Sequence, residues 1–179
     1  MSLCPDAVMC EAVFRKVLER VNEITSLSID YVARFEPGPG SESRIACKHG
    51  EKECFGNILE LCFQNSYPPP TYQRNFFRFL RCLNRDLSKK GTHSYTERCV
   101  SQVGLDYTPI AECADSALGK QLLRESVMRT YASNVTKSCT IFVNEKQRCI
   151  RDGSWYDCPD GHRVSDFIKT IEDEYVFDV

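Results

Sequence analysis

A cysteine followed by proline at the head of an amphipathic run is a pattern suited to a nucleophilic thiol, and LCPDAVMC, residues 3 to 10, supplies it. Cys4 falls at an N-cap position, Pro5 suits the first helical position and Asp6 the first turn. A thiolate there is stabilised by the unpaired N–H groups of the first turn, and Asp6, a carboxylate in the same turn, opposes it. Thiol–disulfide exchange also needs a second thiol, to release the mixed disulfide that the first one forms. A redox Cys-x-x-Cys helix would carry it at residue 7, and residue 7 is Ala. Cys10 is a poor substitute: six residues along a helix is a rise of roughly 9 Å, whereas disulfides hold Cα atoms within about 6.8 Å. Its place on an apolar stripe reads as a buried core thiol.

The stripe belongs to the helix that must present Cys4. Met9, Cys10, Val13, Phe14, Val17, Leu18, Val21 and Ile24 recur at three- and four-residue spacing, which predicts a helix over residues 5–24. SLSIDYVARF, residues 26–35, alternates as a strand does, and Pro37-Gly38-Pro39-Gly40 breaks the chain. From residue 47 to about 131 the pattern is helical, with segments expected at 53–63, 72–85, 94–102, 109–114 and 120–131. The aromatic run Tyr72, Phe76, Phe77 and Phe79 sits at helical spacing and reads as core. After Val135 the period changes to two: residues 139–143 and 147–151 predict a β-hairpin across Asn144-Glu145-Lys146, and residues 163–173 a closing helix. The order is that of an α/β layer interrupted by an all-helical insertion.

Composition narrows the function classes. Formal net charge is −2 with basic residues scattered, which excludes the electrostatic footprint of a nucleic-acid or anionic-membrane binder. No stretch approaches the roughly 20 apolar residues of a membrane span. Eleven cysteines in 179 residues point to disulfides and an oxidising compartment, and the odd number leaves at least one thiol unpaired. Asn134-Val135-Thr136 is an N-glycosylation sequon, in keeping with secretion. No signal peptide precedes Met1-Ser2-Leu3-Cys4, so an incomplete N-terminus is expected. Cys47, His49, Cys54 and Cys62 match no common zinc spacing, and no cofactor is expected.

CKHGEKECFGNILELC, residues 47–62, resembles the signature of the gamma-interferon-inducible lysosomal thiol reductase family, Cys-Gln-His-Gly-x-x-Glu-Cys-x-x-Asn-x-x-x-x-Cys. Cys47, His49, Gly50, Glu53, Cys54, Asn57 and Cys62 fall on the pattern, and Lys48 replaces its Gln. The likeness continues through Cys82, Cys99 and ECADSALGKQLL, residues 112–123, and VTKSCT with RCIRDGSWYDC is similar to fungal members. The resemblance implies a thioredoxin-like sheet, residues 1–46 and 132–179, carrying a disulfide-stapled helical insertion, residues 47–131. It implies reduction of protein or peptide disulfides in endosomes, lysosomes or outside the cell, with a small thiol as reductant. It also implies a strand ahead of Cys4, which this chain lacks. In such folds a cis-proline loop enters the strand after the insertion and packs on the nucleophile; here that loop falls near Ser138 and Cys139 with no proline. Cys139 is then the expected resolving partner of Cys4, with Cys10 second; the alternatives for Cys139 are a buried strand thiol or a pair with Cys149.

The remaining cysteines group by arithmetic. Cys47, Cys54, Cys62, Cys82, Cys99 and Cys113 can make three bridges of undetermined connectivity, and Cys149 with Cys158 a fourth, leaving Cys4, Cys10 and Cys139. His49 reads either as a brace for the loop before its helix or as a catalytic group, the latter without a supporting motif. Two functions follow: a thiol–disulfide oxidoreductase with Cys4 as nucleophile, or a non-catalytic secreted binding protein on the same scaffold, which Ala7 leaves open.

Overall fold

The computed structural model describes residues 1–38 and 43–176. Helix α1 (Pro5–Val21) leads the chain with Cys4 at its N-cap and runs into a single 3₁₀ turn, Asn22–Ile24. Strands β1 (Arg34–Pro37) and β2 (Ser43–Ala46) pair antiparallel; Pro39 and Gly40 of the expected break lie outside the described residues. Five helices follow: α2 (Glu51–Ser66), α3 (Thr71–Leu83), α4 (His93–Ser101), α5 (Thr108–Asp115) and α6 (Ala117–Ala132). Strands β3 (Cys139–Val143), β4 (Lys146–Asp152) and β5 (Ser154–Tyr156) form an antiparallel meander, and α7 (Val164–Val176) closes the described chain. The result is a mixed α/β protein with small antiparallel sheets and a disulfide-stapled helical part.

The β3–β4 connection is tighter than expected. Val143 pairs with Lys146, so the turn is the two residues Asn144 and Glu145, both at positive φ (46° and 64°) as a twist-matched hairpin requires. Strand β5 was not anticipated; SWY is too short to show a period.

The strand expected over residues 26–35 is largely absent, with only its end forming β1. Side chains from two helices take the backbone groups a sheet would have used. Gln64 of α2 accepts from Ile29 N–H at 3.2 Å, and Ser126 of α6 accepts from Tyr31 N–H at 2.8 Å. Thr130 donates to Tyr31 C=O at 3.4 Å. The alternation survives as burial, with Tyr31 and Ala33 inside, because the segment lies extended against α2 and α6.

Helix α1 packs against α3 and α7 and touches β3 and β4, so its N-terminus lies over the start of the three-stranded sheet. The aromatic run is core: Tyr72, Phe76, Phe77 and Phe79 are buried, and Phe79 stacks on Phe63 of α2 with centroids 4.5 Å apart.

Candidate functional site

Cys4 is buried, at 7 % exposure, and is the free cysteine of the chain. Its carbonyl accepts from Val8 N–H, so the residue caps α1 with its main chain and leaves its sulfur to other partners. The Ser138 hydroxyl, just before β3, donates to Cys4 Sγ at 2.9 Å. The opposing charge expected from Asp6 is met: Arg151 Nε of β4 stands 3.2 Å from its carboxylate, and Gly153 N–H donates to the same oxygen at 3.0 Å. Ala7, also buried at 7 %, occupies the position of the second cysteine of a Cys-x-x-Cys helix.

The structure revises the expected pairing. Cys139 is bonded to Cys10, with Cα atoms 6.2 Å apart, and not to Cys4. Cys10 is therefore not an unpaired core thiol. The distance along the helix correctly separates Cys10 from Cys4, but it says nothing of a strand lying across α1, and β3 brings Cys139 there. Ser138, which sequence reasoning treated only as an alignment position, makes the contact assigned to its neighbour.

The signature residues build the floor beneath this site. Cys47 and Cys54 are bonded to each other across the turn that starts α2, so they are not metal ligands. Gly50 caps α2 at φ 82°, a conformation in which a side chain is strained. Glu53, wholly buried, accepts from His49 N–H at 3.0 Å, faces His49 Nδ1 at 2.8 Å, and accepts from Leu3 N–H at 3.1 Å. His49 thus braces its loop. Asn57, also wholly buried, accepts from Ser2 N–H at 2.9 Å and donates to Cys47 Sγ at 3.6 Å. Gly56 lets Ser2 lie this close: a Cβ there would stand 2.9 Å from Ser2 Oγ. Glu53 and Asn57 therefore tie down the two residues ahead of Cys4 and fix the entry of α1.

Burial alone would raise the Glu53 pKa, but hydrogen bonds from the His49 side chain and backbone and from Leu3 N–H outweigh it and hold the carboxyl below the usual glutamate range. A carboxylate whose folded pKa is depressed stabilises the fold above its unfolded value, about 4.3, and loses that contribution as pH falls through the lower folded value. Urea melts across an acid series should show this limb in the wild type and a flatter one in Glu53→Gln. Parallel profiles would remove Glu53 from the acid response.

Behind the signature lies a polar cluster that sequence reasoning missed. Lys90, wholly buried, stands 2.9 Å from Glu60 of α2 and donates to Asn84 Oδ1 at 2.8 Å. Tyr31 donates its hydroxyl to Glu60, and Asn84 donates to Glu11 of α1 at 2.6 Å. The cluster locks the helix carrying Cys4 and Cys10 to the helix carrying the signature. A charge between Leu59 and Leu61 was its one sequence signal. Beyond it, Cys62–Cys113 joins α2 to α5, Cys82–Cys99 joins α3 to α4, and Cys149–Cys158 staples β4 to the segment after β5. Asn134 is exposed in the turn before β3. Among the described residues no helix is long and apolar enough to cross a membrane, and no group of three or more His, Cys, Asp or Glu could hold a metal ion.

These features define a disulfide-stapled α/β protein that keeps one thiol free at a helix start. The family model described as gamma interferon inducible lysosomal thiol reductase (GILT) matches residues 1–103, and the chain belongs to that family. It is 30% identical over 159 residues to GILT-like protein 1 of Drosophila melanogaster, covering 81% of this chain and 63% of that protein. It is 28% identical over 133 residues to a gamma-interferon-inducible lysosomal thiol reductase-like protein of Anopheles gambiae, covering 69% and 55%. It is 29% identical over 125 residues to a gamma-interferon-responsive lysosomal thiol protein of Arabidopsis thaliana, covering 68% and 48%. The chain thus spans between about half and just under two thirds of these relatives. Cys4 and the signature fall inside the family match; Ser138 and Cys139 lie beyond it.

Proposed function

We propose that the protein is a thiol–disulfide oxidoreductase that reduces disulfides of proteins or peptides, with Cys4 as the attacking thiol and a small thiol as the source of electrons. One observation carries the reading: with ten cysteines paired in five bridges, the thiol left free is the one at a helix N-cap, under the Ser138 hydroxyl. Membership of a family named for thiol reductases supports it. The chemistry needs only sulfur and protons, so no cofactor is invoked. Five disulfides favour a secreted or endosomal–lysosomal setting, and the exposed sequon at Asn134 suits glycosylation there. In this reading residues 1–46 and 132–179 act as a thioredoxin-like unit and residues 47–131 as its helical insertion.

Ala7 and the 7 % exposure of Cys4 favour a second reading, a non-catalytic binding protein on the same frame. Iodoacetamide at mildly acid pH separates the two. Under the oxidoreductase reading one label enters per chain, at Cys4, and Cys4→Ser abolishes reduction of a disulfide-bonded test protein in the presence of glutathione. An unlabelled Cys4 together with reduction by the wild type no faster than by glutathione alone would leave the binding reading.

A further inference from the structure

The Cys10–Cys139 disulfide lies where only one residue separates it from the reactive thiol. Ser138 touches Cys4 Sγ at 2.9 Å, and the next residue, Cys139, is bonded to Cys10 of the same helix as Cys4. Consecutive Cα atoms are about 3.8 Å apart, so the start of β3 carries the Cys139 backbone one residue on from the Cys4 contact while its sulfur is bonded to Cys10. Of the other four bridges, Cys47–Cys54 lies at the start of α2, Cys62–Cys113 and Cys82–Cys99 join helices, and Cys149–Cys158 ties β4 to the segment after β5. Exposure differs along the set: Cys4 and Cys139 are buried, at 7 % and 3 %, and Cys10 is only partly buried.

We propose that Cys10 and Cys139 are the exchangeable couple that resolves Cys4, so that the three sulfurs act as a relay replacing the absent thiol at residue 7. This deepens, and rests on, the assignment of Cys4 as nucleophile. With the couple reduced, the Cys4 thiolate attacks a substrate disulfide, forming a Cys4–substrate bond and expelling the first substrate thiolate. The Cys139 thiolate attacks Cys4 Sγ, forming Cys4–Cys139 and expelling the second. The Cys10 thiolate attacks Cys139 Sγ, forming Cys10–Cys139 and returning Cys4 as a thiolate. The two protons of the Cys10 and Cys139 thiols end on the two substrate thiolates, and the couple has given two electrons. The arrangement observed here, Cys4 free and Cys10–Cys139 closed, is the end state of that sequence. Two equivalents of a small thiol reopen the couple, entering at Cys10, the less buried residue of the two.

The relay is tested by where the disulfide goes when its last step is removed. Cys10→Ser, purified without reductant and mapped under non-reducing conditions, should contain a Cys4–Cys139 peptide, and its alkylatable Cys4 should fall from one per chain to none. Recovery of both Cys4 and Cys139 as free thiols would overturn the relay. Wild-type protein with the couple first reduced, then mixed with a substoichiometric small disulfide and quenched in acid, keeps the test decisive if the variant does not fold. A transient Cys4–Cys139 peptide is expected, and its absence at all times overturns the proposal. Cys139→Ser separates the relay from the reading beneath it. Accumulation of a mixed disulfide at Cys4 is the expected result. Undiminished turnover with glutathione would leave Cys4 as nucleophile and discard the relay, whereas undiminished turnover in Cys4→Ser would discard both.

Discussion

Lys90→Met should destabilise the protein by about 3–5 kcal/mol, the usual cost of removing one partner from a buried ion pair. Lys90 and Glu60 are both wholly buried, and the ammonium serves Glu60 and Asn84 together. Burial by itself would lower the Lys90 pKa, but Glu60 and Glu11 reverse that and raise it, so the charged form is the one the fold holds. A methionine fills similar volume and leaves the Glu60 carboxylate with the Tyr31 hydroxyl but without its paired ammonium. For a chain of 179 residues this corresponds to a fall in Tm on the order of 10 °C. Glu60→Gln added to Lys90→Met should recover part of the deficit. Thermal melts of the single and double variants read both effects. A loss within about 0.5 kcal/mol, typical of a surface change, would mean that water reaches the cluster.

Much of the fold was legible because burial imposes periods. Residues 139–143 were expected as a strand and form β3, and each helix forecast between 47 and 131 exists, with ends shifted by a few residues as turns and caps extended them. The segment 26–33 was misread for a physical reason. Alternating burial shows that a chain is extended; it does not say what satisfies the backbone, and Gln64 and Ser126 do so from helices whose own periods reveal only their apolar faces. The Lys90–Glu60 pair left only one trace, Glu60 between Leu59 and Leu61, because a lysine in a loop and a glutamate in a helix are commonplace on a surface.

At the site, composition carried the grouping of cysteines but not their partners. Six cysteines in the helical part pair among themselves, Cys149 pairs with Cys158, and three remain around α1. Within those three, sequence gives distance along a helix and nothing about what crosses it, so the Cys10–Cys139 bond and the Ser138 contact needed the structure. The signature was readable as a string, while the role of its polar members was not: Glu53 and Asn57 act on the backbone of Ser2 and Leu3, some fifty residues earlier.

Ala7→Cys should convert the site from one reactive thiol to none on mild oxidation. Residues 4 and 7 are three apart on the first turn of α1, a rise of about 4.5 Å, which suits the roughly 5.5–6 Å Cα separation favoured in disulfides. Both positions are buried to the same extent, and both lie at the end of α1 that meets the start of β3. A sulfur on Cβ of residue 7 therefore enters the neighbourhood of Cys4 Sγ instead of solvent, and the chain's cysteine total becomes even. Non-reducing peptide maps should then show Cys4 linked to the thiol introduced at residue 7, with Cys10–Cys139 intact, and iodoacetamide should label nothing until reductant is added. The new thiol should also free Cys4 from the relay. In Cys139→Ser, where mixed disulfides are expected to accumulate, adding Ala7→Cys should clear them, because the resolving thiol now sits on the same helix turn. If Cys4 in Ala7→Cys stays fully alkylatable after oxidation, residue 7 does not face the sulfur, and the alanine there has closed a different space from the one a second redox thiol would occupy.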